Sequence, residues 1–533
     1  MKRKVLLIVV SSLFAVCLSA VCPANLDDEL YNVLSFGAKG DGRTLDTKAI
    51  QEAIEKAAQV GGGTVYFPSG KYISGTLFLK SFVSLHLEPG AVLEGSKNLS
   101  DYPVTESKIR SYTDNYTNKS LIYAEGLENI SITGKGIIDG NGASFKVNRM
   151  ENDDELRKKD DFEFYKTRPF LIRMINCKNI VVRDITMLNS PMWVQHYLVC
   201  ENVNINGITV ISRVNHNNDG IDIDGCNNVR ISNCDINSGD DAIVLKSTLD
   251  KPCKNITITN CLLSSNCNAF KLGTESNGDF QNITFSNCII YNTRRAGIAL
   301  EMVDGGSLNN VSVSNVNMDN VGCAIFIRLG NRARKFKENM SKPGMGNLFN
   351  VIISNIQATN IGTTGCSITG LPSYPVRNLT LDNIRFRFKG GGTKDLATRQ
   401  IEEFPEKYPA SNMFGTLPAY GFFCRHVNGL NMTNIDLSYE LTDHRPALYM
   451  LDVKDSQISG LKASYEEGAE SLIIIDNSQD IIIRDCNVLK NISALSTIKN
   501  GSKNIGFINN NILRQIKVYK SDGTVKKTDI IIK

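Results

Sequence analysis

A short phrase, Asn or Asp followed by alternating aliphatic residues, recurs along most of this 533-residue chain and constrains its fold more than any other feature. It appears as Asn129-Ile130-Ser131-Ile132, Asn179-Ile180-Val181-Val182, Asn202-Val203-Asn204-Ile205, Asn228-Val229-Arg230-Ile231, Asn255-Ile256-Thr257-Ile258, Asn282-Ile283-Thr284-Phe285 and Asn310-Val311-Ser312-Val313. From Asn179 onward the starts fall 23 to 28 residues apart, and the Asn-Cys turns at Cys234, Cys261 and Cys288 are spaced by 27 and 27. Alternation over about five positions is the period-2 signature of a strand with one buried face. Parallel strands stacked coil on coil bury a continuous aliphatic column, while Asn and Gly accept the φ > 0 corners between them. The expected fold is therefore all-β, a right-handed parallel β-helix. A leucine-rich repeat would need a helical half, and a propeller would need longer blades with tight hairpins. Neither pattern is present.

Ahead of the coils, Ala49, Ile50, Ala53, Ile54 and Ala57 fall at helical spacing within Asp46–Gln59, and Gly61-Gly62-Gly63 ends the run. This helix is expected to cap the N-terminal end of the core. The phrase resumes at Asn350, Asn378, Asn431, Gln457 and Asn504, interrupted near 331–349 and 389–420 by polar stretches expected to be long loops framing a groove. One texture throughout argues for a single domain over 25–533. The Asn-x-Ser/Thr sequons follow from the same ladder composition.

Met1-Lys2-Arg3-Lys4 and the apolar run Val5–Val16 read as an export leader over 1–24, too short to span a bilayer. The protein is therefore expected to be exported, as a periplasmic, cell-surface or secreted protein. A lipid-anchored form is the alternative, and no later stretch predicts a membrane span. The net charge of +4 is small and interspersed, which argues against nucleic acid as a partner. No CxxC pair marks a zinc site.

Two acidic clusters stand one coil apart, Asn217-Asn218-Asp219-Gly220 and Ser238-Gly239-Asp240-Asp241, with 21 residues from Asp219 to Asp240. Neighbouring coils are ~4.8 Å apart, so these carboxylates become neighbours in space. Adjacent carboxylates repel when both are ionised, so one holds its proton to higher pH. An acid beside a base is what glycoside hydrolysis requires. Turns that cap the coils or hold calcium are the structural alternative.

Asn217-Asn218-Asp219, Gly239-Asp240-Asp241 and Lys246-Ser247 resemble the first two signatures of the polygalacturonases, glycoside hydrolase family 28. Phe36-Gly37-Ala38-Lys39-Gly40-Asp41-Gly42, Val65-Tyr66-Phe67-Pro68-Ser69-Gly70 and Ser190-Pro191-Met192-Trp193 are similar to that family too. The resemblance implies an inverting hydrolase acting on a pectic polysaccharide or oligosaccharide, with Asp240 as general acid and Asp219 and Asp241 as the bases that polarise water. It implies no cofactor and no metal. Inversion predicts acid and base about 6.5 to 9.5 Å apart.

The chain departs from the family in two places. Asn266-Cys267-Asn268 stands where the family has Gly-His-Gly, and Ala299-Leu300-Glu301 stands where the family's Arg-Ile-Lys grips a uronate carboxylate. An acid in place of that clamp weakens uronate binding there. Glu275 and Glu301 are then expected to accept hydrogen bonds from neutral hydroxyls of a rhamnose-containing or branched pectin, or else to pair with Lys246 or Lys271. Arg294 and Arg295 lie one coil beyond Cys267 and are candidates for the displaced cations. Cys267 reads as a stacked thiol. His196 and Trp193, on the coil before Asp219, either line a subsite or pack. Asn217, Lys246, Glu275, Arg294, Glu301 and His196 are thus the candidate substrate contacts.

Two other functions share such a fold. A pectate lyase would use calcium and β-elimination, and a glycan-binding β-helix would do no chemistry. Long loops walling one end of the groove favour exo attack.

Overall fold

The computed structural model describes residues 30–145, 165–337, 339–467, 469–488 and 492–533, so the leader expected over 1–24 lies outside the described residues. The protein is a parallel β-helix. Its repeat phrase forms one ladder in which Ile180, Val203, Val229, Ile256, Ile283, Val311, Val351, Leu379 and Leu430 pair in sequence, coil upon coil. All of these side chains are buried. Burying such a column supplies most of the driving force for stacking, at about 25 cal/mol per Å² of apolar surface.

The Asn that opens each phrase has a conformational reason. Asn179, Asn202, Asn228, Asn255, Asn282 and Asn310 all sit at φ between 54° and 57°, the left-handed corner that Asn tolerates better than other side-chain-bearing residues. Each amide also donates to the carbonyl oxygen of the Asn below it, as in Asn202 to Asn179 at 3.0 Å and Asn255 to Asn228 at 3.1 Å. These bonds tie corner to corner up the stack.

The helix spans Thr47–Gln59, one residue inside its expected start, and buries Ile50, Ala53, Ile54 and Ala57 on the first coils. Asp46 at its N-cap spends its carboxylate on the backbone N–H groups of Lys39 and Gly40. No helix among the described residues is long and apolar enough to cross a membrane. The twelve cysteines from Cys177 to Cys486 are buried free thiols.

The chain leaves the coils after Leu329 and again after Gly390, returning at Asn347 and Phe422. These are the two expected loops. Arg328 and Arg425, both buried, anchor the second by donating to the carbonyl oxygens of Glu403 at 2.7 Å and Ile401 at 2.6 Å. Phe414 packs between their guanidinium groups, 5.5 and 5.6 Å from its ring centre.

Candidate active site

Strand alternation sets the site. In Ile221–Asp224, Ile243–Ser247, Phe270–Ser276 and Ile298–Glu301 alternate residues such as Ile221, Ile223, Ile243, Leu245, Phe270 and Leu272 face the core, so Asp222, Asp224, Lys246, Lys271 and Glu301 project from the outer face of one sheet. Asp219, Asp240 and Asp241 sit in the turns that feed these strands. The turns stack as the strands do: Gly220 N–H donates to Asp241 O, and Arg295 N–H to Cys267 O. Arg332 and Arg334 arrive from the first loop and Tyr408 from the second.

The three aspartates have different surroundings. Asp241 is buried and richly hydrogen-bonded: Oδ1 accepts from Asn268 Nδ2 at 2.7 Å and Asn268 N at 3.1 Å, and Oδ2 faces Lys271 Nζ at 3.1 Å. Burial opposes its ionisation, but Lys271, Lys246 and Asn268 outweigh it and hold the carboxyl below the usual range. Asp219 is equally buried, yet its Oδ1 has no hydrogen-bond partner among the described residues, and Lys246 Nζ stands 3.6 Å from Oδ2. Burial first, then repulsion from Asp222 and Asp240, pushes Asp219 well above the usual range despite Lys246. Asp240 alone of the three is part-exposed, and its Oδ1 accepts from the N–H of Asp241. The cluster thus contains one carboxyl pushed below the usual range, one pushed well above it, and one that is part-exposed. Asp219 and Asp241 therefore differ, although the resemblance gave both the role of base.

A stability prediction follows from Asp219. A carboxyl whose pKa is raised by folding stabilises the fold below the unfolded-state pKa, and that stability is lost as pH rises through the higher folded value. Asp219→Asn lacks this dependence. Its melting temperature should match the wild type near about pH 4 and exceed it by a few degrees at neutral pH, measured by calorimetry across that range.

One oxygen each of Asp240 and Asp241 and the sulfur of Cys267 lie within 4.8 Å of one another, close enough to meet at one cation. The chemistry fits a metal poorly. Burial and the neighbouring acids push the Cys267 thiol well above its usual range, so it stays protonated, and the Lys271 ammonium already sits against Asp241. The same spacing suits a single water bonded to both carboxylates. It is shorter than the about 6.5 to 9.5 Å expected of an inverting acid and base and nearer the about 5 Å of a retaining pair.

The candidate substrate contacts are distributed unevenly. Glu275 is not an open acceptor: it pairs with Arg334 at 2.8 Å, Arg332 at 3.7 Å and Lys246 at 3.8 Å. Although burial raises its pKa, these cations outweigh it and keep Glu275 ionised well below the usual range. Glu301 is buried too, 3.6 Å from Lys271 and bonded by the Thr274 hydroxyl at 2.9 Å. Both glutamates thus adopt the ion-pair arrangement, Glu275 through Arg334, Arg332 and Lys246 and Glu301 through Oε2 to Lys271. His196 is fully buried, with Nε2 3.3 Å from Asp224 and its ring 5.2 Å from Trp193, so packing shields it from a ligand. Lys246 is a buried hub facing Asp219, Asp222 and Glu275, capped by the Trp193 ring at 4.8 Å. Asn217 occupies a left-handed turn and accepts from Arg168 at 3.1 Å. Arg294 is exposed, whereas Arg295 is half-buried in the field of Cys267, Tyr408, Asp240 and Asp241.

Arg332, Arg334 and Tyr408 had no signal in the sequence, because they lie in loops without periodicity. Asp222 had one: it alternates with Ile221 and Ile223 on an acidic strand. Arg332 pairs with Asp304, and Tyr408, 43% exposed, places its ring 5.7 Å from Arg332 and 5.8 Å from Lys271.

The chain is 36% identical over 232 residues to a probable polygalacturonase of Vitis vinifera, covering 41% of this chain and 45% of that protein. It is 30% identical over 252 residues to an exo-poly-α-D-galacturonosidase of Dickeya chrysanthemi, covering 40% and 41%. The chain thus spans under half the length of these two relatives. The crystal structure of a hyperthermoactive exopolygalacturonase from Thermotoga maritima superposes with a TM-score of 0.58 at 26% identity, covering 68% of this chain and 87% of that one. Residues 63–407, which carry all three aspartates and the strands beneath them, match the profile of the glycosyl hydrolases family 28, and the chain belongs to that family.

Proposed function

We propose that this protein hydrolyses glycosidic bonds of a pectic polysaccharide or oligosaccharide. The observation that carries the reading is Asp240, a carboxyl open to the groove beside Asp241, which Lys271 and Asn268 hold ionised. Asp240 meets the leaving oxygen and donates its proton; Asp241 takes a proton from the attacking water. Asp219, whose carboxyl burial and the neighbouring acids push well above the usual range, lends that water a hydrogen bond. Inversion, the stereochemistry the family resemblance implies, has water attack opposite the leaving group and requires the two carboxyls to part beyond the spacing of their nearest oxygens, which lie within 4.8 Å.

Exo attack is part of the proposal, supported by the two loops that bring Arg332, Arg334 and Tyr408 over the acids. The names of the Dickeya and Thermotoga relatives agree with it. An export leader fits as well, since a wall polysaccharide lies outside the cell.

The test is incubation with polygalacturonate, rhamnogalacturonan and debranched pectins, with chelator present. Saturated reducing ends should appear from the first turnovers as short sugars, without the ultraviolet absorbance of an unsaturated uronide. Unsaturated, chelator-sensitive product would make the protein a lyase. No release from any polymer would leave a binding protein.

A further inference from the structure

The left-handed corner that follows Arg425 is filled at the same register of other coils by small residues, Asn176, Gly225, Asp452, Asn477 and Asn500, with φ between 46° and 60°. Here it is His426, at φ 54°. The larger ring bridges two acids that lie far apart in the chain. Nδ1 is 2.7 Å from Asp452 Oδ2 on the next coil, and Nε2 is 2.9 Å from Glu403 Oε1 in the second loop. A neutral imidazole has one N–H and can donate to one of these carboxylates; the imidazolium donates to both. Two other charges face the cluster. Arg425 Nη1 stands 3.2 Å from the same Glu403 oxygen, and Lys454 Nζ stands 3.5 Å from Asp452 Oδ1. Imidazole is the group among these whose ordinary titration lies near neutrality. The other Glu403 oxygen is buried without a hydrogen-bond partner among the described residues, so Oε1 makes both contacts. Although burial raises the Glu403 pKa, the His426 hydrogen bond and the Arg425 charge outweigh it and hold it below the usual range.

The second loop therefore has two kinds of tie. Arg328 and Arg425 hold its backbone at Ile401–Phe404 through carbonyl oxygens, and His426 holds the Glu403 side chain. Five residues beyond Glu403, the Tyr408 hydroxyl accepts from Lys271 Nζ at 3.5 Å and its ring lies 5.7 Å from Arg332. We propose that His426 is a positioning residue whose doubly protonated ring clamps the second loop, and with it Tyr408, beside the acids, so that this wall of the groove tightens in mild acid and loosens as pH rises through neutrality. Loss of a ring proton sets a nitrogen lone pair against a carboxylate oxygen. Glu403 is the partner that yields, because Asp452 sits within a strand paired on both sides and Glu403 in a loop. Arg328 and Arg425 keep the loop docked, and the freedom gained is confined to the segment that carries Tyr408. The effect on turnover rests on the hydrolase reading above; the effect on the loop does not.

Hydrogen exchange of residues 401–408, corrected for the intrinsic rate, is measured at about pH 5.5 and about pH 8 in wild type, His426→Asn and Glu403→Gln. Wild-type protection should fall about ten- to a hundredfold between the two, the worth of one charge-assisted hydrogen bond. His426→Asn suits the corner that asparagine fills in other coils, and its short neutral side chain leaves Glu403 unclamped. It should fold and show the low protection at both pH values. Glu403→Gln keeps an acceptor without the charge and should show a smaller step. On the polymer that wild type cleaves, His426→Asn should raise KM severalfold at the lower pH and match wild type at the higher, with kcat near wild type at both. A full-sized step in His426→Asn, or wild-type protection that ignores pH, would overturn the clamp. An unchanged KM at the lower pH would overturn its control of the groove. Absence of reducing-sugar release by wild type would sink the hydrolase reading alone, since exchange is read without substrate.

Discussion

Replacing Asp240 with asparagine is expected to cut kcat by roughly a thousandfold while leaving KM and melting temperature near wild type. The amide keeps an oxygen that can accept the N–H of Asp241, as Asp240 Oδ1 does, so the turn should not move. What it loses is a transferable proton, which matters only as the glycosidic bond breaks. Asp241→Asn should differ. Its carboxylate holds Lys271 and two N–H donors of Asn268, so that change should lower activity and stability together. Initial rates of reducing-sugar release and thermal melts on both variants separate the roles. Asp240→Asn retaining about a tenth or more of wild-type kcat would remove it from the proton-transfer step.

Most of the fold was legible because its signal is local and repeated. Asn255-Ile256-Thr257-Ile258 states its own corner, its buried face and its solvent face, and the next coil states them again 27 residues on. The acidic turns were legible for the same reason: once coils stack, Asp219 and Asp240 must meet. Partnerships between side chains were harder to read. For Glu275 and Glu301 the sequence left open acceptors and pairing with Lys246 or Lys271 as alternatives, and the further partners of Glu275, Arg332 and Arg334, sit in a loop whose path no period reveals. Subsite and packing stayed open for His196 because its burial against Trp193 and beside Asp224 depends on three-dimensional packing. The balance between Asp219 and Asp241 was hidden too. It turns on which of the two meets Asn268 and Lys271, and the spacing of acids carries no trace of that.

Lys271 is where this balance can be tested hardest. It faces Asp241 at 3.1 Å and Glu301 at 3.6 Å, and all three side chains are buried. Lys271→Met should cost about 3 to 5 kcal/mol, because it strands two buried carboxylates without their shared cation. The sign of the pH dependence follows. With Lys271 present, Asp241 is held below its usual range and contributes stability above the unfolded-state pKa, lost as pH falls through the folded value. Without the lysine that contribution disappears at neutral pH, so the melting deficit should be largest there and shrink on acidification, as the stranded carboxyls take up protons. Activity should move the same way: a base works only when ionised, so the acid limb of the kcat/KM profile should shift to higher pH. The double variant Lys271→Met with Glu301→Gln removes one buried charge of each sign and should recover part of the stability without recovering the acid limb. If the single variant keeps the wild-type acid limb, Lys271 does not tune the base, and Asp241 owes its ionisation to Lys246 and Asn268.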